Sequence, residues 1–352
     1  MSVLPSLVFL PFLVAFFVTA FLTPVSIILL KRFGLVDNPK THKHPAIIHT
    51  KPIPRGGGIP IFLGALIAAI LFLPITKITI SIFLASLIAL IIGVIDDKLN
   101  ANGKDVSPYI RFIINILTAI IVVASGVSIR FITDPFGGIL HLPILLSDLV
   151  SVIWLVWVMN MLNWSKGIDG QMPGIVAISA TVIGILSLRF IPGDPSADVD
   201  VKLSFIIAGC ALGFLIFNFH PAKIFPGYGA TALYLLLGVV SILSGAKLAT
   251  AILVMGIPTV DAMFTIVRRI MQKQPPFVGD KKHLHHILLR FNFSQRQIAL
   301  FYWSISAILG IISLTLDSRN KIFAIIMLLA ITIGALLFLH IIKINGSDKN
   351  GS

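Results

Sequence analysis

Apolar residues in this chain come in long unbroken runs and lack the spaced pattern of an amphipathic surface helix. Eleven runs stand out, at about 6–30, 57–74, 78–95, 108–125, 148–163, 173–190, 203–219, 229–243, 247–268, 298–315 and 321–342. A bilayer-spanning helix needs roughly 20 mostly apolar residues. Lipid offers the backbone no partners, so each run is predicted to be helical. Several runs are shorter than that, and one re-entrant segment would leave ten crossings in place of eleven. The first run lacks a basic leading region and an A-x-A-like cleavage site, and it is too long for a leader peptide, so it is predicted to be a retained helix. No repeat period appears, and no soluble domain fits between the runs. The expected architecture is all-α, one polytopic membrane domain over residues 1–352.

Composition strengthens this picture. Charged residues make up 12% of the chain, against about 25% in soluble domains, and mean hydropathy is +1.01. All 14 acidic residues are aspartates. With the N-terminus outside and the C-terminus cytoplasmic, the inner loops are 31–56, 96–107, 164–172, 220–228 and 269–297, and the inner side carries 20 of the 27 Lys and Arg residues. That asymmetry is the positive-inside bias. The net charge of +13 is then mainly a cytoplasmic-face property, which also attracts anionic headgroups. No basic arm or aromatic-interleaved platform accompanies it, so nucleic-acid binding is not expected. A single cysteine, Cys210, excludes an intramolecular disulfide and a thiolate metal cluster.

Candidate chemistry gathers on the same inner side. "DNPKTHKHPAIIHTKPIPRGGG" fills the first inner loop, and the third run ends in the adjacent Asp96 and Asp97. "MNMLNWSKGIDGQMPG" follows the fifth run, "FNFHPAKIFPGYGAT" the seventh, and "GIPTVDAMFTIVRRI" with "PPFVGDKKHLHHILLRFNFSQRQ" the ninth. Adjacent carboxylates without cysteine suit a hard divalent cation shared with substrate phosphates. Lys51, Arg55, Lys281, Lys282 and Arg290, with the glycines of "RGGG", suit anionic phosphates. His283 and His286 share a helical face, with His285 offset. Such imidazoles beside cations can bind phosphate or donate protons. H-L-H-H lacks a carboxylate at zinc-motif spacing. Taken singly, the aspartate pair could be a solvated helix end and each histidine an interfacial side chain; the coincidence of clusters favours a site.

These stretches resemble the polyprenyl-phosphate N-acetylhexosamine-1-phosphate transferases. The resemblance rests on "HTKPIPRGGGIPIFLG" (49–64), "GVIDDK" (93–98), "DPFGGIL" (134–140), "MNMLNWSKGIDG" (159–170), "NFHPAKIFPG" (218–227), "GIPTVDAMFTIVRR" (256–269) and "DKKHLHHILLRFNFSQRQ" (280–297). The H-L-H-H form and eleven runs look more like the N-acetylglucosamine-1-phosphate branch than the muramoyl-pentapeptide branch. The resemblance implies attack by a polyprenyl (undecaprenyl) phosphate on the sugar-linked phosphate of a UDP-sugar, with release of UMP, at the cytoplasmic face of the plasma membrane. It implies a role in making cell-wall or surface polysaccharides such as lipopolysaccharide or teichoic acid. Mg²⁺ would bridge the nucleotide diphosphate. Asp96 and Asp97 would be the paired acids, one a candidate base and both near the metal, with Asp169 as a further ligand. Asn160, Asn163 and Asp169 would serve the nucleotide, Lys51 a phosphate, and His283, His285 and His286 the diphosphate or sugar. Relatives of this kind also imply a possible homodimer.

Two positions depart from the family pattern. After "PAKIF" the family reads G-D-x-G-S, and its aspartate is a magnesium ligand; here Tyr228 stands at that place. In "NWSKGIDG", Lys166 takes the first aspartate position while Asp169 keeps the second. Two carboxylates are lost and an ammonium is gained, which weakens a divalent site. Three outcomes follow: an enzyme in which Lys166 takes over part of the metal's task, an Mg²⁺ enzyme that uses the remaining aspartates, or a pseudoenzyme that binds lipid phosphate or nucleotide without turnover. A transporter of lipid-linked sugars would need ionisable residues along a path, and Asp148 and Asp261 do not make one.

Overall fold

The computed structural model describes residues 5–39, 49–104, 106–134, 136–194, 196–243, 247–275 and 283–347. Thirteen α-helices are found among them: α1 (Leu10–Arg32), α2 (Gly58–Phe72), α3 (Lys77–Ala101), α4 (Pro108–Ala124), α5 (Ile144–Trp164), α6 (Gln171–Ser187), α7 (Ser196–Asn218), α8 (Thr231–Val240), α9 (Leu248–Val254), α10 (Gly256–Met271), α11 (Leu284–Arg290), α12 (Gln295–Thr315) and α13 (Ser318–Ser347). Two small antiparallel ladders complete the fold: β1 (Val36–Asp37) with β2 (Ile53–Pro54), and β3 (Phe131–Thr133) with β4 (Ile139–His141).

Among the described residues, six helical segments are long and apolar enough to cross a membrane, and a seventh is if the bent pair α9–α10 counts as one. Four further apolar helices, α2, α4, α6 and α8, are shorter. The runs expected at 229–243 and 247–268 differ from simple crossings. α8 has only 10 residues, and α9 and α10 meet at 83°. Pro258 explains that break: it lacks an N–H for the preceding turn and its ring clashes with it, so a helix cannot run straight through.

Burial is graded outward from α7 and α8. Every residue of α8 is buried, while α1 exposes Leu10, Phe17, Phe21 and Ile28. Large apolar side chains facing outward on this scale are a liability in water and the norm in lipid. Close contact at the centre is set by glycine. A Cβ on Gly209 would stand 2.3 Å from the Phe12 carbonyl oxygen, and one on Gly213 2.5 Å from that of Phe16, which is how α1 and α7 lie so near. α3 and α12 each begin with a reciprocal capping box, Thr76 with Thr79 and Ser294 with Gln297.

The loops at one end of the bundle are stitched together. Arg55 bridges to Phe225, and the N–H groups of Gly57 and Gly58 donate to the carbonyls of Phe225 and Pro226 at 2.9 and 3.0 Å. The glycines of "RGGG" are therefore not a phosphate cradle, as their sequence implied. Their N–H groups are already committed, and a Cβ on Gly58 would stand 2.2 Å from the Gly229 carbonyl carbon. They let the first loop lie against residues 225–230.

Candidate active site

α3 runs past the apolar segment to Ala101, so Asp96 and Asp97 fall inside the helix and both are fully buried. The reading of a solvated helix end does not apply. Neighbouring helical residues point about 100° apart, and the two carboxylates take different partners. Asp97 accepts Arg55 Nε at 3.0 Å and the Tyr228 N–H at 2.8 Å on one oxygen, and the Gly229 N–H at 3.3 Å on the other. Asp96 Oδ1 accepts Arg111 Nε at 2.9 Å, Arg111 Nη2 at 2.5 Å and the Val106 N–H at 3.2 Å, whereas its buried Oδ2 has no hydrogen-bond partner among the described residues. Arg55 also donates to Asn100 Oδ1 at 2.7 Å and Asp37 Oδ2 at 3.2 Å. A buried charge is tolerable only when paired, and each aspartate here meets a guanidinium.

The two unusual residues lie together. Lys166, just beyond α5, donates to Asn163 Oδ1 and to the Gly227 carbonyl, both at 2.9 Å, and its Nζ stands 5.3 Å from the Tyr228 ring centroid. Arg111 Cζ is 5.0 Å from the same ring, and the phenol oxygen accepts Asn115 Nδ2 at 3.2 Å. Burial, reinforced by Arg55, lowers the Lys166 ammonium to about 7. Burial raises the Tyr228 phenol to about 12. A cavity of about 110 Å³ opens here, lined by Arg55, Arg111, Lys166, Asn160, Asn163, Trp164, Phe112, Pro108 and Tyr228. Its wall offers three cationic and three aromatic side chains and no carboxylate.

The remaining expected residues lie elsewhere. Asp169 Oδ2 accepts the Ala222 N–H at 3.1 Å and meets His220 Nδ1 at 2.8 Å, which ties the 165–170 loop to the "PAKIF" loop and away from the cavity lining. His283, His285 and His286 are buried as a cluster, with ring centroids 5.6 Å apart for the first two and 4.4 Å for the last two. His285 packs against Gly167, where a Cβ would stand 2.4 Å from its Nε2, and its Nδ1 has no partner among the described residues. Burial, with His286 and His283 adding to it, holds the His285 imidazole well below its usual range. Lys51 and Arg290 are exposed. Lys281 and Lys282 lie outside the described residues.

Several partners were missed from the sequence. Asp261 accepts the Leu284 N–H at 2.8 Å and meets His283 Nδ1 at 2.9 Å. Its signal in the sequence is that of an ionisable residue within an apolar run, which is functional by default. Arg111 and Asp37 carried no such signal, because single charges at loop edges are ordinary.

The donor set argues against a divalent cation. Mg²⁺ keeps several waters and takes one or two carboxylates with substrate phosphates in a near-octahedral array. Both Asp97 oxygens are occupied, Asp96 offers one, and Arg55, Arg111 and Lys166 face the cavity. No group of three His, Cys or Asp side chains suited to a metal occurs among the described residues. At an effective dielectric near 20, a unit charge at 4 Å is worth about 4 kcal/mol, so Lys166, the wall cation that no aspartate pairs with among the described residues, opposes a divalent ion. The residues do not fit the metal that the resemblance implied.

Residues 79–245 match the glycosyl transferase family 4 profile. A probable undecaprenyl-phosphate N-acetylglucosaminyl 1-phosphate transferase of Bacillus subtilis is 31% identical over 325 residues, covering 88% of this chain and 85% of that one. The chain belongs to glycosyl transferase family 4. Other members similar to it are a decaprenyl-phosphate N-acetylglucosaminephosphotransferase of Mycolicibacterium smegmatis, 30% identical over 83% of this chain and 77% of its own, and an undecaprenyl-phosphate alpha-N-acetylglucosaminyl 1-phosphate transferase of Thermotoga maritima, 29% identical over 78% and 79%. Within this family 4 chain, the branch indicated by H-L-H-H agrees with the names of these relatives.

Proposed function

We propose that this family 4 member transfers N-acetylglucosamine 1-phosphate from a UDP-sugar to a polyprenyl phosphate, releasing UMP, at the cytoplasmic face of a prokaryotic plasma membrane. An oxygen of the lipid phosphate attacks the sugar-linked phosphorus. The bond from that phosphorus to the bridging oxygen breaks, and UMP leaves with the bridging oxygen. The second ionisation of a phosphate monoester lies near pH 6, so the acceptor is largely deprotonated already, and catalysis falls to positioning and charge stabilisation. Asn160, Asn163 and Lys166 would address the donor. Asp96 and Asp97 would hold Arg111 and Arg55 in place, and the histidine cluster would close the sugar side.

The observation that carries the reading is a stripe along α5. Val150, Ile153 and Trp157 line an apolar cavity of about 410 Å³ shared with α9, α10 and α13, and Asn160 and Trp164 line the cationic cavity. These five residues recur at intervals of three and four, one helical face. A long isoprenoid chain in the first cavity would carry its phosphate toward the second. In this reading α2, α4, α6 and α8 also cross the membrane and α9–α10 count once, which gives eleven crossings with the N-terminus outside, as the basic residues favour.

UMP release by purified protein with undecaprenyl phosphate and UDP-N-acetylglucosamine tests this. Release lost in Asp97→Asn supports the transferase. Folded protein that binds UDP but releases no UMP with any UDP-sugar, with or without Mg²⁺, is the pseudoenzyme, a reading that Tyr228 and Lys166 keep in play.

A further inference from the structure

Resting on the donor reading above, we infer that Lys166 and Arg111, set against Tyr228, grip the diphosphate of the nucleoside diphosphate sugar directly, so that this chain binds its donor without a divalent cation. Three independent features point to an anionic occupant. The cavity wall presents Arg55, Arg111 and Lys166 and, among the described residues, no carboxylate, because the aspartates that pair with the two arginines contact them from outside the lining. Lys166 is fixed rather than free to swing away: Asn163 Oδ1 and the Gly227 carbonyl accept two of its three protons, which leaves one to donate to a ligand. Burial among cations makes its ammonium hard to hold, and a diphosphate would relieve that penalty.

Tyr228 has a distinct part. A carboxylate at this place would neutralise Lys166, which no aspartate pairs with among the described residues; the aromatic ring instead offers Lys166 and Arg111 a π-face at 5.3 and 5.0 Å, holding the ammonium without consuming its charge. Trp164 and Phe112 on the same wall provide apolar faces for a uracil or sugar ring. The two departures from the family pattern thus form one unit. An ammonium replaces one carboxylate, and a neutral ring replaces the other where a negative charge would have quenched it.

The test is titration of the full-length protein in detergent with UDP by calorimetry, in Mg²⁺ and in EDTA. The inference expects the same affinity in both, and a loss of about tenfold or more in Lys166→Ala, the scale of a charge-assisted hydrogen bond. Lys166→Asp combined with Tyr228→Asp should bind UDP only when Mg²⁺ is present. Lys202→Gln, whose side chain pairs with Asp198 near the start of α7, should titrate as the parent does. Thermal midpoints establish that each variant is folded. Parent binding that EDTA abolishes, or a folded Lys166→Ala that binds unchanged, overturns the inference. UMP release that requires Mg²⁺ would do so while leaving the transferase reading intact. Folded protein that binds no UDP in either buffer removes the donor reading and this inference together.

Discussion

The ammonium of Lys166 stands 5.3 Å from the ring centroid of Tyr228, so the two positions at which this chain departs from its family's pattern are in contact. Separate substitutions would each unbalance the site. Their proximity makes them one substitution in physical terms, a cation and the neutral surface that supports it.

That coupling is measurable in stability. Lys166→Met and Tyr228→Leu, alone and combined, form a double-mutant cycle. The expected interaction is about 0.5–2 kcal/mol, read from thermal unfolding in detergent. Strictly additive effects would show that the contact carries no energy.

Arg55 holds Asp97, Asp37 and Asn100 at once. Arg55→Ala leaves a fully buried carboxylate short of its cation, with an expected cost of about 3–5 kcal/mol. Arg55→Lys should recover only part, because a single ammonium cannot reproduce the fork. Equal midpoints for Arg55→Lys and the parent would refute this.

Gly58→Ala tests the seam between the first loop and residues 225–230. The new Cβ meets the Gly229 carbonyl carbon at 2.2 Å, and backbone cannot give way as a side chain can. Overpacking of this kind costs about 1–3 kcal/mol. Gly193→Ala, with nothing within 4 Å of its Cβ, should be close to neutral.

His285 makes the protein acid-sensitive. Its folded pKa lies well below the unfolded value of 6.5, through burial and the neighbouring His286 and His283. Above pH 6.5 both states are neutral and nothing changes. As pH falls below 6.5 the unfolded chain takes up a proton that the folded chain refuses, so stability declines. Melting curves from pH 7.5 to 5 should show this slope, and His285→Gln should flatten it.

Trp157→Ala separates the two cavities. Trp157 lines only the apolar one. The variant should weaken binding of a long polyprenyl phosphate while leaving UDP affinity alone. Equal losses for both ligands would count against an isoprenoid site on that face of α5.

Much of the fold was legible because lipid imposes a simple rule: long apolar runs must be helices. The limits of that rule appear at particular residues. The run at 229–243 reads as a crossing, yet its α-helix ends at Val240. The run at 247–268 hides the turn at Pro258, where hydropathy stays high through a bend of 83°. The family resemblance implies a metal ligand at Asp169; its carboxylate meets His220 and the Ala222 N–H, a pairing that joins segments about fifty residues apart.

The sequence by itself determined a helical membrane protein, the family, the clustering of polar segments at one end and the two departures at Lys166 and Tyr228. Composition and order along the chain carry those facts. Only the tertiary structure decided that Asp96 and Asp97 are occupied by Arg111 and Arg55, that Lys166 meets Tyr228, and that the cavity wall is cationic. The physical reason is that charge pairing acts over a few ångströms, and which charges come that close depends on how α3, α4, α5 and the loop before α8 pack.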